Sequence, residues 1–310
     1  MVNKEDINRI IEQIIKDNKL SLKCSHTVGE MHTILDSMHS NVKEYLLKSS
    51  LTEKQYNEYQ QLEDEDEIFN MERKIFDNYK PSEINKILKN KFLENINFDN
   101  LNDKQARLVL LFDKKDYPHD DTKYSLMQEY PPGKMEQAQL DWEWKKHRNF
   151  VEEIDDAVYM WTHGGYRSIQ EIRLGSFDEA GNEFLSGLDY VERCKSANKY
   201  LERGIKSSKG LVADNMLYRV GHWDIGLKNG DISEFPCFSS ASYSAGAANS
   251  LGEGYAMHIY APNGTKGMMI DTDYFHSDNF PEHEFLLGPG QKFIVLNVND
   301  EDETAEILLL

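Results

Sequence analysis

Cysteine is scarce in this sequence. Cys24, Cys194 and Cys237 are odd in number, far apart and without C-x-x-C spacing, which excludes a disulfide framework and a zinc ribbon. A reducing compartment is the simpler reading of that scarcity. Long apolar runs are missing too, and none approaches the roughly 20 residues that span a bilayer. The opening MVNKEDINRIIEQIIKDNK carries charges through its apolar positions and lacks the uninterrupted core of a signal peptide. The expectation is a chain with neither a membrane span nor an export signal. Positive charge is the third deficit, with 35 Lys and Arg against 54 Asp and Glu and a net charge of -19. Nucleic acid is therefore not expected as the main partner, because phosphate contacts need a basic face.

Several ligand-binding motifs are absent. Neither a G-x-x-x-x-G-K-[ST] phosphate loop nor a G-x-G-x-x-G dinucleotide fingerprint occurs, and no H-E-x-x-H or other metal spacing is found among the 10 histidines. Asp271, Asp273 and Glu282 match three positions of a calcium loop, but Phe275 and His276 stand where an oxygen ligand and a glycine are required. No metal is expected.

What is present divides the 310 residues into two textures. The first half reads as helical. Ile7, Ile10, Ile11, Ile14 and Ile15 form an amphipathic stripe, and a second helix is expected from about Met31 to Leu47. Thr52 and Gln55 have capping-box spacing before TEKQYNEYQQLEDEDEIF, and Pro81-Ser82 opens SEINKILKNKF. The acidic run Glu63 to Glu67 reads as a solvated helix face. Pro118, Pro131, Pro132 and Gly133 mark a linker, after which DWEWKKHRNFVEEIDDAVYMW resumes as helix. Beyond Lys209 the chain turns to short β-type runs, YAMHIYAP, GMMID, QKFIVLNV and AEILLL, separated by Asn263-Gly264 and Gly288-Pro289-Gly290. Helices first and strands later indicate an α+β chain, with a helical domain at 1–135 and a second domain at 136–310.

Four segments of the second half carry chemistry. THGGYRSIQEIRLG, at 162–175, is a helix end with two glycines leading into a second helix. MLYRVG, at 216–221, ends a strand on Arg219 with Gly221 beside it, which suits a bidentate hold on a pyrophosphate and close approach of a ligand to the backbone. CFSSASYS, at 237–244, offers small hydroxyls that can line a pocket and donate to a carboxylate. FPEHEFLLGPGQKFIVL, at 280–296, sets Glu282 and Glu284 two apart, on one face of an extended strand. Two like charges so close expect a cationic neighbour or ligand. Singly, each segment has an ordinary alternative: a packing turn, a surface arginine, a serine-rich loop, a solvated strand end.

In their order and spacing the four segments resemble the ADP-ribosyltransferase family of the arginine, serine-threonine-serine and glutamate type, as in bacterial binary toxins and some phage proteins. The likeness spans roughly residues 150–298. The helix–turn–helix is similar to Y-T-G-x-x-Y-x-x-I-N-x-x-L-R-G, with Gln170 in place of Asn. FSSASYS resembles F-L-S-T-S-Y-S, with Ala241 in the central threonine place. Glu282-His283-Glu284 followed by FLL and KFIVL is close to E-x-E-x-L-L-x-x-G-x-K-F. Asn279 stands where the family often has an aromatic residue.

The resemblance implies two small antiparallel sheets with flanking helices around an NAD cleft. It implies that Arg219, Gly221, Ser240 and Ser242 bind NAD as co-substrate, and that Glu284 is the catalytic carboxylate held by Ser240. Glu282 would act on the acceptor, a protein arginine. It further implies an effector, cytoplasmic or delivered into a target cell; delivery, target recognition and inhibition of the cleft are alike open as the role of the N-terminal helices. An NAD glycohydrolase and a non-catalytic docking protein of a virion are the alternatives.

Overall fold

The computed structural model describes residues 40–78, 86, 90–117, 151–177, 188–208, 210–211, 213–223, 226–251, 253–270 and 284–310. The chain divides into two compact units, Met1–Asp113 and Lys114–Leu310. The expected helix of Ile7 to Ile15 and most of the expected linker, including Pro118 to Gly133, lie outside the described residues.

In the first unit, helices α1 (Ser40–Ser50), α2 (Glu53–Tyr59), α3 (Glu65–Asn78) and α4 (Asp103–Leu111) are joined in part by short 3-10 turns. The capping box at Thr52 forms as its spacing predicts: the Thr52 hydroxyl accepts from the Gln55 N–H, and the Gln55 side chain accepts from the Thr52 N–H. The single helix expected from Thr52 to Phe69 is instead two. Asp64 accepts the N–H groups of Asp66 and Glu67 and starts α3 afresh, so part of the acidic run is a helix cap. Leu46, Leu93, Ile96, Val109 and Leu110 make the core. Glu72 is fully buried within this unit, where Lys43 lies 2.8 Å from its Oε1 and the Tyr59 hydroxyl donates at 2.6 Å.

The second unit is helix on sheet. Helices α5 (Val151–Met160), α6 (Tyr166–Leu174) and α7 (Leu188–Ser207) precede strands β1 (Asn215–Gly221), β2 (Ile232–Glu234) and β3 (Ser239–Ser242). Helix α8 (Ala245–Leu251) and strands β4 (Tyr255–Ala261), β5 (Gly267–Met269), β6 (Glu284–Leu287), β7 (Lys292–Asn299) and β8 (Thr304–Leu309) complete it. Among the described residues all strands join one sheet of order β2-β7-β8-β4-β1-β3-β6-β5. Pairings are antiparallel except β4 with β8, which is parallel. The mixed α+β architecture is as expected, but the sheet is larger than the two small ones the sequence suggested. Local alternation identifies a strand without identifying its partners, and β8, at the end of the chain, bridges β7 and β4.

Alternation along each strand sends side chains to two cores. On one face Leu217, Ala241, Met257, Ile259, Phe285, Leu287 and Val295 cluster. On the other, Met268, Ile270 and Leu286 meet Ile154, Val158 and Trp161 of the α5 end, Ile169 of α6, and Cys194, Leu201 and Ile205 of α7. Gly204 allows the close approach of α7, because a Cβ there would fall 2.5 Å from the Met268 sulfur. The start of the unit is fastened to the sheet by Lys114, 3.2 Å from Glu306, and by Tyr117, edge-on to Tyr260 at 5.2 Å.

Candidate functional site

Glu284 opens β6, and the alternation that sends Leu286 into the helix-side core puts Glu284 on the same face. Strand register assembles the rest. Ser242 stands directly across from Glu284, and Tyr218 directly across from Ser242, so three strands contribute one transverse row. Ser240 lies two residues along β3, opposite Leu286.

These residues meet in a cleft of about 350 Å³ lined by Trp161, Tyr166, Gln170, Arg219, Ser240, Ser242 and Glu284, among others. That volume lies in the range of small-molecule sites. Arg219 comes from the end of β1. Its Nη1 donates to the Ser240 carbonyl at 2.5 Å, which fixes the guanidinium against the serine strand. Burial pulls the Arg219 pKa below its ordinary value, and the negative charge of Glu284 opposes that change. A part-buried arginine and a buried glutamate from strands far apart in sequence thus interact electrostatically across the cleft.

Glu284 itself is 5 % exposed, and the indole Nε1 of Trp161, also 5 % exposed, donates to its Oε1 at 2.9 Å. Trp161 is placed by the WTHGG turn after α5, where the helix breaks: His163 leaves helical geometry and Gly164 takes φ 87°. Gly165 admits no side chain, since a Cβ there would lie 2.5 Å from the Met160 carbonyl oxygen. Motif reading did not assign Trp161 a role at the carboxylate. The two residues are 123 positions apart, and although Trp161 stands in the first aromatic place of Y-T-G-x-x-Y, the motif does not name its partner.

Of the residues singled out by sequence, Arg219, Ser240, Ser242 and Glu284 come together in this cleft. Gly221 ends β1, where a Cβ would lie 3.5 Å from Arg219 Nη2, an ordinary contact. Glu282 lies outside the described residues. Ser242 accepts the N–H of Ser244 through its hydroxyl oxygen, at 3.0 Å, and so closes the turn into α8. Among the described residues no group of three or more His, Cys, Asp or Glu is placed to hold a metal ion, and no helix is long and apolar enough to cross a membrane.

No protein-family model matches the chain. No curated protein matches it either. Solved structures similar to it include C3stau2 from S. aureus with NAD, at 15% identity and a TM-score of 0.41, covering 59% of this chain and 98% of that one. Another is the ADP-ribosyltransferase Vis in complex with an inhibitor, at 14% identity and a TM-score of 0.41, covering 60% of this chain and 87% of that one. A third is Plx2a, an ADP-ribosyltransferase toxin from Paenibacillus larvae, at 13% identity and a TM-score of 0.40, covering 57% of this chain and 92% of that one.

Proposed function

We propose that the chain is a mono-ADP-ribosyltransferase that cleaves NAD and passes ADP-ribose to a protein arginine, with catalysis in residues 136–310. The observation that carries this reading is the meeting of Arg219, Ser240, Ser242 and a buried Glu284 in one cleft, from three separate strands. A guanidinium lining the cleft and a carboxylate held apart from bulk water suit a substrate with a pyrophosphate at one end and a developing positive charge at the other. Arg219 binds the pyrophosphate. Glu284 accepts a hydrogen bond from the nicotinamide-ribose 2′-hydroxyl and stabilises the oxocarbenium ion as nicotinamide leaves, as acidic groups do in glycoside cleavage. Ser240 and Ser242, which line the cleft, contribute to NAD binding, and Ser240 also helps to hold Glu284.

The acceptor assignment rests on the sequence Glu282-His283-Glu284, in which Glu282 polarises the incoming guanidinium. Incubation with labelled NAD and cell lysate tests the whole reading. Label on protein, sensitive to chemistry that cleaves arginine linkages, is the expected result. Free ADP-ribose alone would make the chain a glycohydrolase, and intact NAD would leave it a docking protein.

A further inference from the structure

Trp161 makes a contact with Glu284 that the resemblance does not assign. The indole is wedged edge-on between Tyr166, with ring centroids 6.1 Å apart at 62°, and Phe238, 5.7 Å apart at 72°. Phe238 directly precedes β3, and Tyr166 begins α6, so the ring is gripped from the sheet and from the helix layer at once. The WTHGG turn fixes the backbone beneath it. An indole N–H is a donor only, and unlike a hydroxyl it cannot rotate to become an acceptor. Its hydrogen bond therefore restrains one oxygen of the Glu284 carboxylate, in a place where neither partner is open to bulk water.

We propose that Trp161 is a positioning residue for Glu284, its ring locked by Tyr166 and Phe238 and its indole N–H orienting the carboxylate within the cleft. This rests on the reading of Glu284 as the catalytic carboxylate. The resemblance gives the task to the first serine, Ser240. In this chain the Ser240 carbonyl accepts from Arg219, and a buried donor to Glu284 comes from the helix layer.

The test compares Trp161→Phe, which keeps an aromatic wedge and removes the donor, with Trp161→Tyr, which returns a hydroxyl donor on a ring. For Trp161→Phe the account expects kcat for NAD cleavage to fall on the order of tenfold to a hundredfold, the effect of losing a hydrogen bond to a charged group, with KM for NAD nearly unchanged. The acidic limb of its pH–rate profile should move to higher pH, because a hydrogen bond that favours the ionised carboxylate is gone. Trp161→Tyr should recover part of both. A folded Trp161→Phe with wild-type kcat and profile overturns the proposal. So does a change confined to KM, or a loss of kcat with an unmoved acidic limb that Tyr does not repair, since those belong to a cleft wall or to packing. Failure of the underlying reading shows elsewhere: wild-type protein that leaves NAD intact, or Glu284→Gln that cleaves it normally, removes the catalytic carboxylate and the positioning role with it.

Discussion

At the scale of single residues, the cleft assigns different losses to different side chains. Arg219→Ala should weaken NAD binding by ~2–3 kcal/mol, the range of a charge-assisted contact, and Lys should restore only part, because it cannot form the fork. Calorimetric titration measures both, and an unchanged affinity in a folded variant would remove Arg219 from the site. Gly221→Ala meets only ordinary contact with the guanidinium, so its melting temperature should hold while any cost falls on NAD affinity. Glu282→Gln should abolish transfer to arginine yet leave much of the hydrolysis. Equal loss of hydrolysis in the Glu282 and Glu284 variants would contradict that division of labour. The residue types of the cleft were legible as motifs, because Y-R-x-G, the serine run and E-x-E each survive as a local pattern. Which serine faces Glu284 was not, since only the β3–β6 register decides that Ser242 does. The pairing of Trp161 with Glu284 was illegible for the same reason, being made by tertiary packing alone.

At the scale of elements, the WTHGG turn is the part of the helix layer that reaches the carboxylate. Gly164 has φ 87° with open space around it, so Gly164→Ala should cost about 1–3 kcal/mol from backbone strain alone. Gly165→Ala, aimed at the Met160 carbonyl, should cost at least as much and displace Trp161. Thermal melts read the first effect, and kcat for NAD cleavage reads the second. Helices α6 and α7 are also tied by Arg173, whose Nη1 donates to Glu202 at 3.0 Å, with Lys206 on the other carboxylate oxygen. Lys206 first, then Arg173, hold the Glu202 carboxyl below its ordinary value. A depressed folded pKa contributes stability that is complete above the unfolded value of about 4.3 and is lost as pH falls through the lowered one. The melting-temperature advantage of wild type over Glu202→Gln, small for a partly exposed pair, should therefore be present at neutral pH and vanish in acid. An advantage that persisted in strong acid would assign it to packing.

The strands β1, β4, β5, β7 and β8 were legible because each is a short β-type run between turn residues. Strand β2, Ile-Ser-Glu, has a single apolar residue and so no pattern to read. Helix α7 carries an apolar stripe at Val191, Cys194, Ala197, Leu201 and Ile205, but the stripe belongs to no motif and was passed over.

At the scale of the whole molecule, the unit Lys114–Leu310 holds every strand of the sheet and both cores that pack on it. A chain beginning at Lys114 should thus keep NAD cleavage, and its loss would assign the N-terminal helices a part in the site. The separation into a helical half and a strand-rich half was legible in composition and turn residues. The order of strands was not, because parallel pairing of β4 with β8 joins residues about fifty positions apart. The net charge of -19 further predicts that label from NAD accumulates on protein rather than on nucleic acid. In the proposed function Glu284 drives cleavage of NAD. The most direct test of this is the rate of nicotinamide release from NAD by the wild-type chain and by Glu284→Gln, with a thermal melt to establish that both are folded. The account predicts release by wild type and a fall on the order of a hundredfold or more in the variant, the effect of losing an electrostatic contact made in the transition state. Equal rates in the two proteins, or no release by wild type, would contradict it.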